Sequence, residues 1–208
     1  RLFSEGTFNA AFVPSYSSEL GLGKKKAQQF ANKVFNLLLI SLLLIVLIIE
    51  IFMPSFVFII APGFTEDTDK LDLTILLTRI TFPFLLFICI SSFFSAILNS
   101  HNKFAISAAA PIILNIFLIL ILLFQNYLND QLVFYLSYAV TFAGIVQLIL
   151  LFFFVRKYYF PKIKLNFKID DKVNLFFKKL LPSIFSSGVT QINIFVGTII
   201  ASFQVSAV

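Results

Sequence analysis

The segment VFNLLLISLLLIVLIIEIFM, residues 34–53, carries a single charged side chain, Glu50, and meets no proline until Pro54. An apolar run of about 20 residues is long enough, as a helix, to cross roughly 30 Å of hydrocarbon. Inside lipid every backbone N–H and C=O must be satisfied within the segment, so a lone spanning run has to be helical. Similar runs recur at 73–98, 106–127 and 131–155. A soluble core cannot absorb them. The chain is 12% charged, against about 25% for soluble domains. The fold class that follows is all-α, a polytopic membrane helix bundle.

Polar turns divide the spans and alternate in sign. The expected first-lobe helices are 1–18, 34–60, 73–98, 106–127 and 131–155, within a unit covering 1–160. Pro54 and Pro83 each remove a backbone donor and are expected to kink or break their helices, and Pro111 lies in the first turns of its span. A basic segment, 161–180, follows. Its Val173, Phe176 and Phe177 predict an amphipathic helix lying at the interface. A last span begins at 181 and runs toward 208. Lys24, Lys25, Lys26, Lys33, Lys103 and the cations from Arg156 to Lys179 fall in loops on one side. The other side holds Lys70 among Glu66, Asp67, Asp69 and Asp72. The positive-inside rule makes the basic side cytoplasmic. The net charge of +6 thus reads as topology and anionic-lipid contact, with no nucleic-acid partner.

Several chemistries are excluded. One cysteine, Cys89, and one histidine, His101, rule out a disulfide framework and a His/Cys metal cluster. There is no phosphate-cradling glycine loop. The acidic turn has neither a paired base nor metal-ligand spacing, so no catalytic site is expected. Neither cofactor nor metal is called for. His101 reads as a solvated turn residue. Glu50 reads as snorkelling to the headgroups, and Arg79 as an interfacial anchor.

The opening stretch, RLFSEGTFNAAFVPSYSSEL, is different. At helical periodicity Arg1, Glu5, Asn9 and Tyr16 fall near one face of an otherwise apolar helix. Charge inside a membrane helix is costly and marks function by default. At i, i+4 spacing Arg1 and Glu5 also satisfy each other, so both readings stand. Asn115, Gln147, Gln191 and Asn193 lie inside other spans, where amides most often hydrogen-bond between helices.

The same stretch resembles the second transmembrane helix of the MurJ (MviN) lipid II flippases. Arg1, Phe3, Glu5, Gly6, Phe8, Ala11, Phe12, Val13 and Pro14 match the family's pattern, which usually has two adjacent arginines where this chain has one. The likeness continues through APGF and the acidic turn, through ITFP, the ILN turn, Lys103-Phe104 and Pro111 to Asn115, through AVTFAGIVQL, and through LPSIFSSGVTQINIFVGTIIASF. The chain opens without methionine and inside a helix. It is therefore expected to be a piece running from the end of the second to the seventh transmembrane helix.

The resemblance implies a two-lobed fold of the multidrug/oligosaccharidyl-lipid/polysaccharide exporter type, with most of the first lobe and the start of the second in this chain. It implies a monomeric, non-enzymatic transporter of the bacterial inner membrane. The substrate would be lipid II, an undecaprenyl-pyrophosphate-linked peptidoglycan precursor, moved between leaflets by alternating access for cell-wall synthesis. Arg1, Glu5 and Asn9 would then line the cavity, and Gln191 and Asn193 would lie at the lobe junction. A drug or polysaccharide-lipid exporter of the same superfamily is the alternative.

Overall fold

A computed structural model describes residues 7–128, 131–163 and 171–203, and the regular structure among them is helical. α1 (Thr7–Gly21) is followed by a tight turn into α2 (Lys24–Ile51). Gly23 makes that turn at φ 121°, a conformation that side-chain-bearing residues rarely adopt. α2 stops at Phe52, and α3 (Met53–Ile60) starts with Pro54 in its first turn. That is where a proline is tolerated, because its missing N–H has no partner to lose. A short 3-10 turn (Pro62–Glu66) leads to α4 (Thr68–Thr81), whose N-cap Asp67 accepts from the Lys70 amide at 3.0 Å.

Pro83 separates α4 from α5 (Phe84–Ser100), and Pro111 separates α6 (Phe104–Ala109) from α7 (Ile112–Leu123). A single turn, α8 (Gln125–Leu128), and the long α9 (Leu132–Val155) follow. α10 (Asp171–Ser202) is one helix of 32 residues with Pro182 inside it. Among the described residues four helical stretches are long and apolar enough to cross a membrane: Lys24–Ile51, Thr68–Ser100, Phe104–Leu123 and Leu132–Val155.

α5 is the hub, packing on α9, α1, α2 and α6. Phe93, Ile97 and Leu98 on it are fully enclosed. α9 approaches α5 closely because Gly144 has no side chain; a Cβ there would lie 2.6 Å from the Phe84 ring. Thr141 on α9 donates to the Ile80 carbonyl at 2.5 Å, next to the Pro83 break. The outward faces of α2 and α7 expose Leu44, Leu47, Ile48, Ile119, Leu120 and Leu123. Such faces are stable against lipid tails and not against water.

One expectation changes. Val173 and Phe176 do not face lipid headgroups: they are buried at 0% and 1% exposure in the core cluster that also holds Phe8, Phe12 and Phe30. The helix they belong to runs on without interruption to Ser202. An apolar stripe looks the same whether it faces lipid or protein, and here α1 supplies the protein. Glu50, near the end of α2, has one carboxylate oxygen shielded without a hydrogen-bond partner. Arg79 itself is exposed, in the last turn of α4.

Replacing Gly144 by leucine should wedge α5 and α9 apart. The expected loss is about 1–3 kcal/mol of stability, the usual cost of overpacking. A lowered thermal midpoint of the detergent-solubilised full-length protein checks it, with the exposed Ile119→Leu as an unaffected control.

Candidate functional site

α1 is held by an aromatic ladder. Phe8, Phe12 and Tyr16 sit one turn apart, stacked at centroid distances of 5.2 and 5.5 Å. Phe93 closes on Phe12 at 5.1 Å, and Phe176 meets its edge at 6.1 Å. Each such pair adds about 0.5–1.5 kcal/mol beyond the area it buries. With that stripe fixed inward, Asn9 is turned to a different surface. Tyr16, expected beside Asn9, is enclosed in the ladder at 1% exposure. Arg1 and Glu5 lie outside the described residues.

Asn9 borders a chamber of about 340 Å³ between α1, α5, α6 and α9. Ser92, Ser95 and Asn99 on α5 face it, with Ser107 on α6 and Gln147 on α9. The α5 residues are spaced i, i+3, i+7, which puts them on one face of a helix. Ser107 donates to the Ser95 carbonyl at 3.2 Å and ties α6 to α5. Gln147 is 4% exposed. The Oδ1 atoms of Asn9 and Asn99 are shielded from solvent, and neither accepts a hydrogen bond. An enclosed acceptor without a partner costs about 1–3 kcal/mol. Among the described residues the lining contains no charged side chain. The chamber can therefore accept N–H and O–H donors, but this wall supplies nothing to neutralise a phosphate.

The other amides fare differently. Gln191 is partly exposed and Asn193 exposed on α10, and neither is among the described residues lining the chamber. Asn115 is exposed on α7. The sequence alone does not single out Ser92, Ser95 and Asn99. Their signal is the small-polar spacing inside SSFFSAILNS, diluted by the apolar residues between them.

The basic end of the bundle is tied together by polar contacts. The Lys172 ammonium on α10 lies 2.6 Å from Glu19 at the end of α1, whose side chain is only 10% exposed. Asn32 on α2 accepts from the Tyr159 hydroxyl at 2.8 Å and from the Lys162 amide at 3.0 Å, while Asn36 donates to the Lys162 carbonyl at 3.2 Å. His101 lies in the turn after α5, partly exposed. Its ring stacks on Tyr158 at 4.3 Å and meets the Tyr16 hydroxyl at 3.4 Å. Burial, and then the charge of Lys24, hold its imidazole below the usual histidine pKa. No group of three or more His, Cys, Asp or Glu able to hold a metal occurs among the described residues.

The chain matches, over residues 1–208, the family model described as lipid II flippase MurJ. It is 39% identical over 215 residues to the "probable lipid II flippase MurJ" of Rickettsia prowazekii (strain Madrid E), covering 100% of this chain and 41% of that protein. It is 39% identical over 214 residues to the protein of the same description from Rhizobium tropici, covering 100% of this chain and 40% of that one. A solved structure titled "Lipid II flippase MurJ, inward closed conformation" superposes with a TM-score of 0.78 at 24% identity, over 98% of this chain and 41% of its own. The fold is therefore shared. The chain spans about two fifths of the length of the relatives it matches.

In the full-length protein, Asn99→Leu removes an unpartnered acceptor and should leave the thermal midpoint unchanged or slightly raised. A midpoint lowered as if by about 1–3 kcal/mol would mean that the amide has a structural partner. For His101 the folded pKa lies below the unfolded value, so the unfolded chain takes up the proton first. The stabilisation is complete above about pH 6.5 and declines as pH falls below it. Unfolding followed between neutral and acidic pH should show that decline, and His101→Phe should weaken it.

Proposed function

Because the chain belongs to the MurJ lipid II flippase family, we propose that it supplies helices of a transporter carrying lipid II from the cytoplasmic to the periplasmic leaflet. The path is alternating access, and the flipped precursor feeds cell-wall synthesis. The protein is a multi-pass membrane protein; its home in this reading is the bacterial inner membrane, where it works as a monomer among anionic lipids. Residues 1–160 belong to the first lobe, 161–180 to the cytoplasmic connection and 181–208 to the start of the second. In this reading the protein transports and does not catalyse.

The observation that carries the reading is the hydroxyl- and amide-lined chamber beside α1, among the apolar spans. The prenyl tail of such a substrate can remain in lipid. Its sugar-peptide head cannot, since each polar group left unpaired in hydrocarbon costs on the order of several kcal/mol. A polar chamber offers the head substitute partners. The pyrophosphate needs a cation, and arginine binds it with two parallel hydrogen bonds from a planar fork. Arg1, about two turns before Asn9 in the same helical pattern, is our choice for that role, with Glu5 orienting it. Gln191 and Asn193 face the lobe junction in this scheme.

Arg1→Ala in the full-length protein should abolish rescue of a bacterium depleted of its own flippase, and Arg1→Lys should restore only part of it. Full rescue by Arg1→Ala at normal protein level would contradict the assignment.

A further inference from the structure

α9 has two unlike faces. Its small residues Ala139, Ala143 and Gly144 are buried, and Gly144 lies against Phe84 and Phe87 of α5. The other face exposes Tyr135, Tyr138, Phe142, Val146, Ile149 and Phe153. Their spacing, i, i+3, i+7, i+11, i+14 and i+18, makes one continuous stripe. Helix contacts within a membrane favour small residues, and this stripe has none. Tyrosines lie at its acidic end, and Arg156 and Lys157 follow its basic end. Those are the anchors that a lipid-facing helix places at its two interfaces. The 24 residues of α9 rise about 36 Å, against about 30 Å of hydrocarbon. Arg156 and Lys157 therefore fall at the headgroups of one leaflet, with Phe153 one turn deeper.

The basic end of the stripe is a built recess. The Arg156 guanidinium lies 4.1 Å from the centre of the Phe153 ring, a stacking that holds the cation in place. Beyond α9 the chain folds back, with Tyr159 buried and the Lys162 backbone held by Asn32 and Asn36 of α2. The fold-back sets Phe160 beside Phe152, with ring centres 5.9 Å apart. Phe153, Phe154, Arg156, Lys157 and Phe160 line a space of about 560 Å³. Among the described residues no carboxylate pairs with Arg156 or Lys157.

We propose that this recess binds one anionic phospholipid of the cytoplasmic leaflet, with its phosphate on Arg156 and Lys157 and its upper acyl chains against Phe153 and Phe160. The proposal rests on the membrane placement given above and is independent of the cargo. Two uncompensated cations beside exposed rings complement a negative head above an apolar tail. Stacking on Phe153 uses the face of the guanidinium and leaves its edge N–H groups for two parallel bonds to phosphate. A zwitterionic head carries its own cation and gains less from the pair.

The test uses the delipidated full-length protein in detergent, incubated with phosphatidylglycerol or with phosphatidylcholine of the same chains. Native mass spectrometry gives the dissociation constant of the first lipid bound. The account expects phosphatidylglycerol to bind more tightly. Arg156→Gln with Lys157→Gln should weaken it by about tenfold or more, as two cations near a lipid surface support. Phe153→Ala keeps the charge and should weaken it about threefold, through the lost stacking. Lys25→Gln with Lys26→Gln removes the same charge elsewhere on the basic side and should change it less than about twofold. An equal loss in the two double variants would overturn the site. So would equal binding of the two lipids, or no loss in the Arg156/Lys157 variant, as when another part of the longer protein fills the recess. Binding is read without transport, so a protein that binds phosphatidylglycerol here and does not move lipid II counts against the transport reading alone.

Discussion

A polar group carried into hydrocarbon must find a partner there, and the arrangement of this bundle follows from how that demand is met. At the basic end it is met largely within the chain, with the Asn36 oxygen left over. Asn32 and Asn36 hold the segment after α9 by its backbone, Glu19 holds Lys172, and His101 lies between Tyr16 and Tyr158. In the chamber it is met only in part. Asn9 and Asn99 keep acceptor oxygens out of water with nothing donating to them. Native folds leave few such groups unsatisfied, so each one calls for an explanation. Donors brought by a cargo, by ordered water or by the remainder of a longer protein would all meet that demand.

α1 links the two regions. Its ladder of Phe8, Phe12 and Tyr16 is locked between α5 and α10, so the orientation of Asn9 is set by packing and not by the amide's own bonds. The same ladder reaches His101 through Tyr16 and Phe176 through Phe12. A shift of α10 therefore bears on the helix that carries Asn9. Closely packed aromatic contacts favour discrete arrangements over gradual deformation.

Much of the fold is legible in the sequence because its causes are local. The apolar runs announce the spans. Pro54 and Pro83 announce interruptions, since a missing N–H acts wherever it occurs, while the break at Pro111 shows only in the fold. The family is legible in the opening residues, whose pattern is dense and ordered. The chamber is legible only through Asn9 and Gln147. Ser92, Ser95 and Asn99 sit among phenylalanines and isoleucines, so their shared face emerges only when α1 and α9 are laid against it. The aromatic partners of His101 are not legible because Tyr158 and Tyr16 lie far from it along the chain. Val173 and Phe176 are misread because amphipathicity shows that a face is covered and does not show by what.

The central claim is that the small polar residues of α5 line a chamber at membrane depth that polar molecules enter. Electron paramagnetic resonance on the full-length protein in lipid vesicles tests it most directly, with a spin label replacing Ser95 and another replacing the lipid-facing Ile119. The account predicts that a water-soluble paramagnet relaxes the label at 95 strongly and the label at 119 weakly, with the order reversed for dissolved oxygen. Equal inaccessibility of both labels to the water-soluble paramagnet would contradict it.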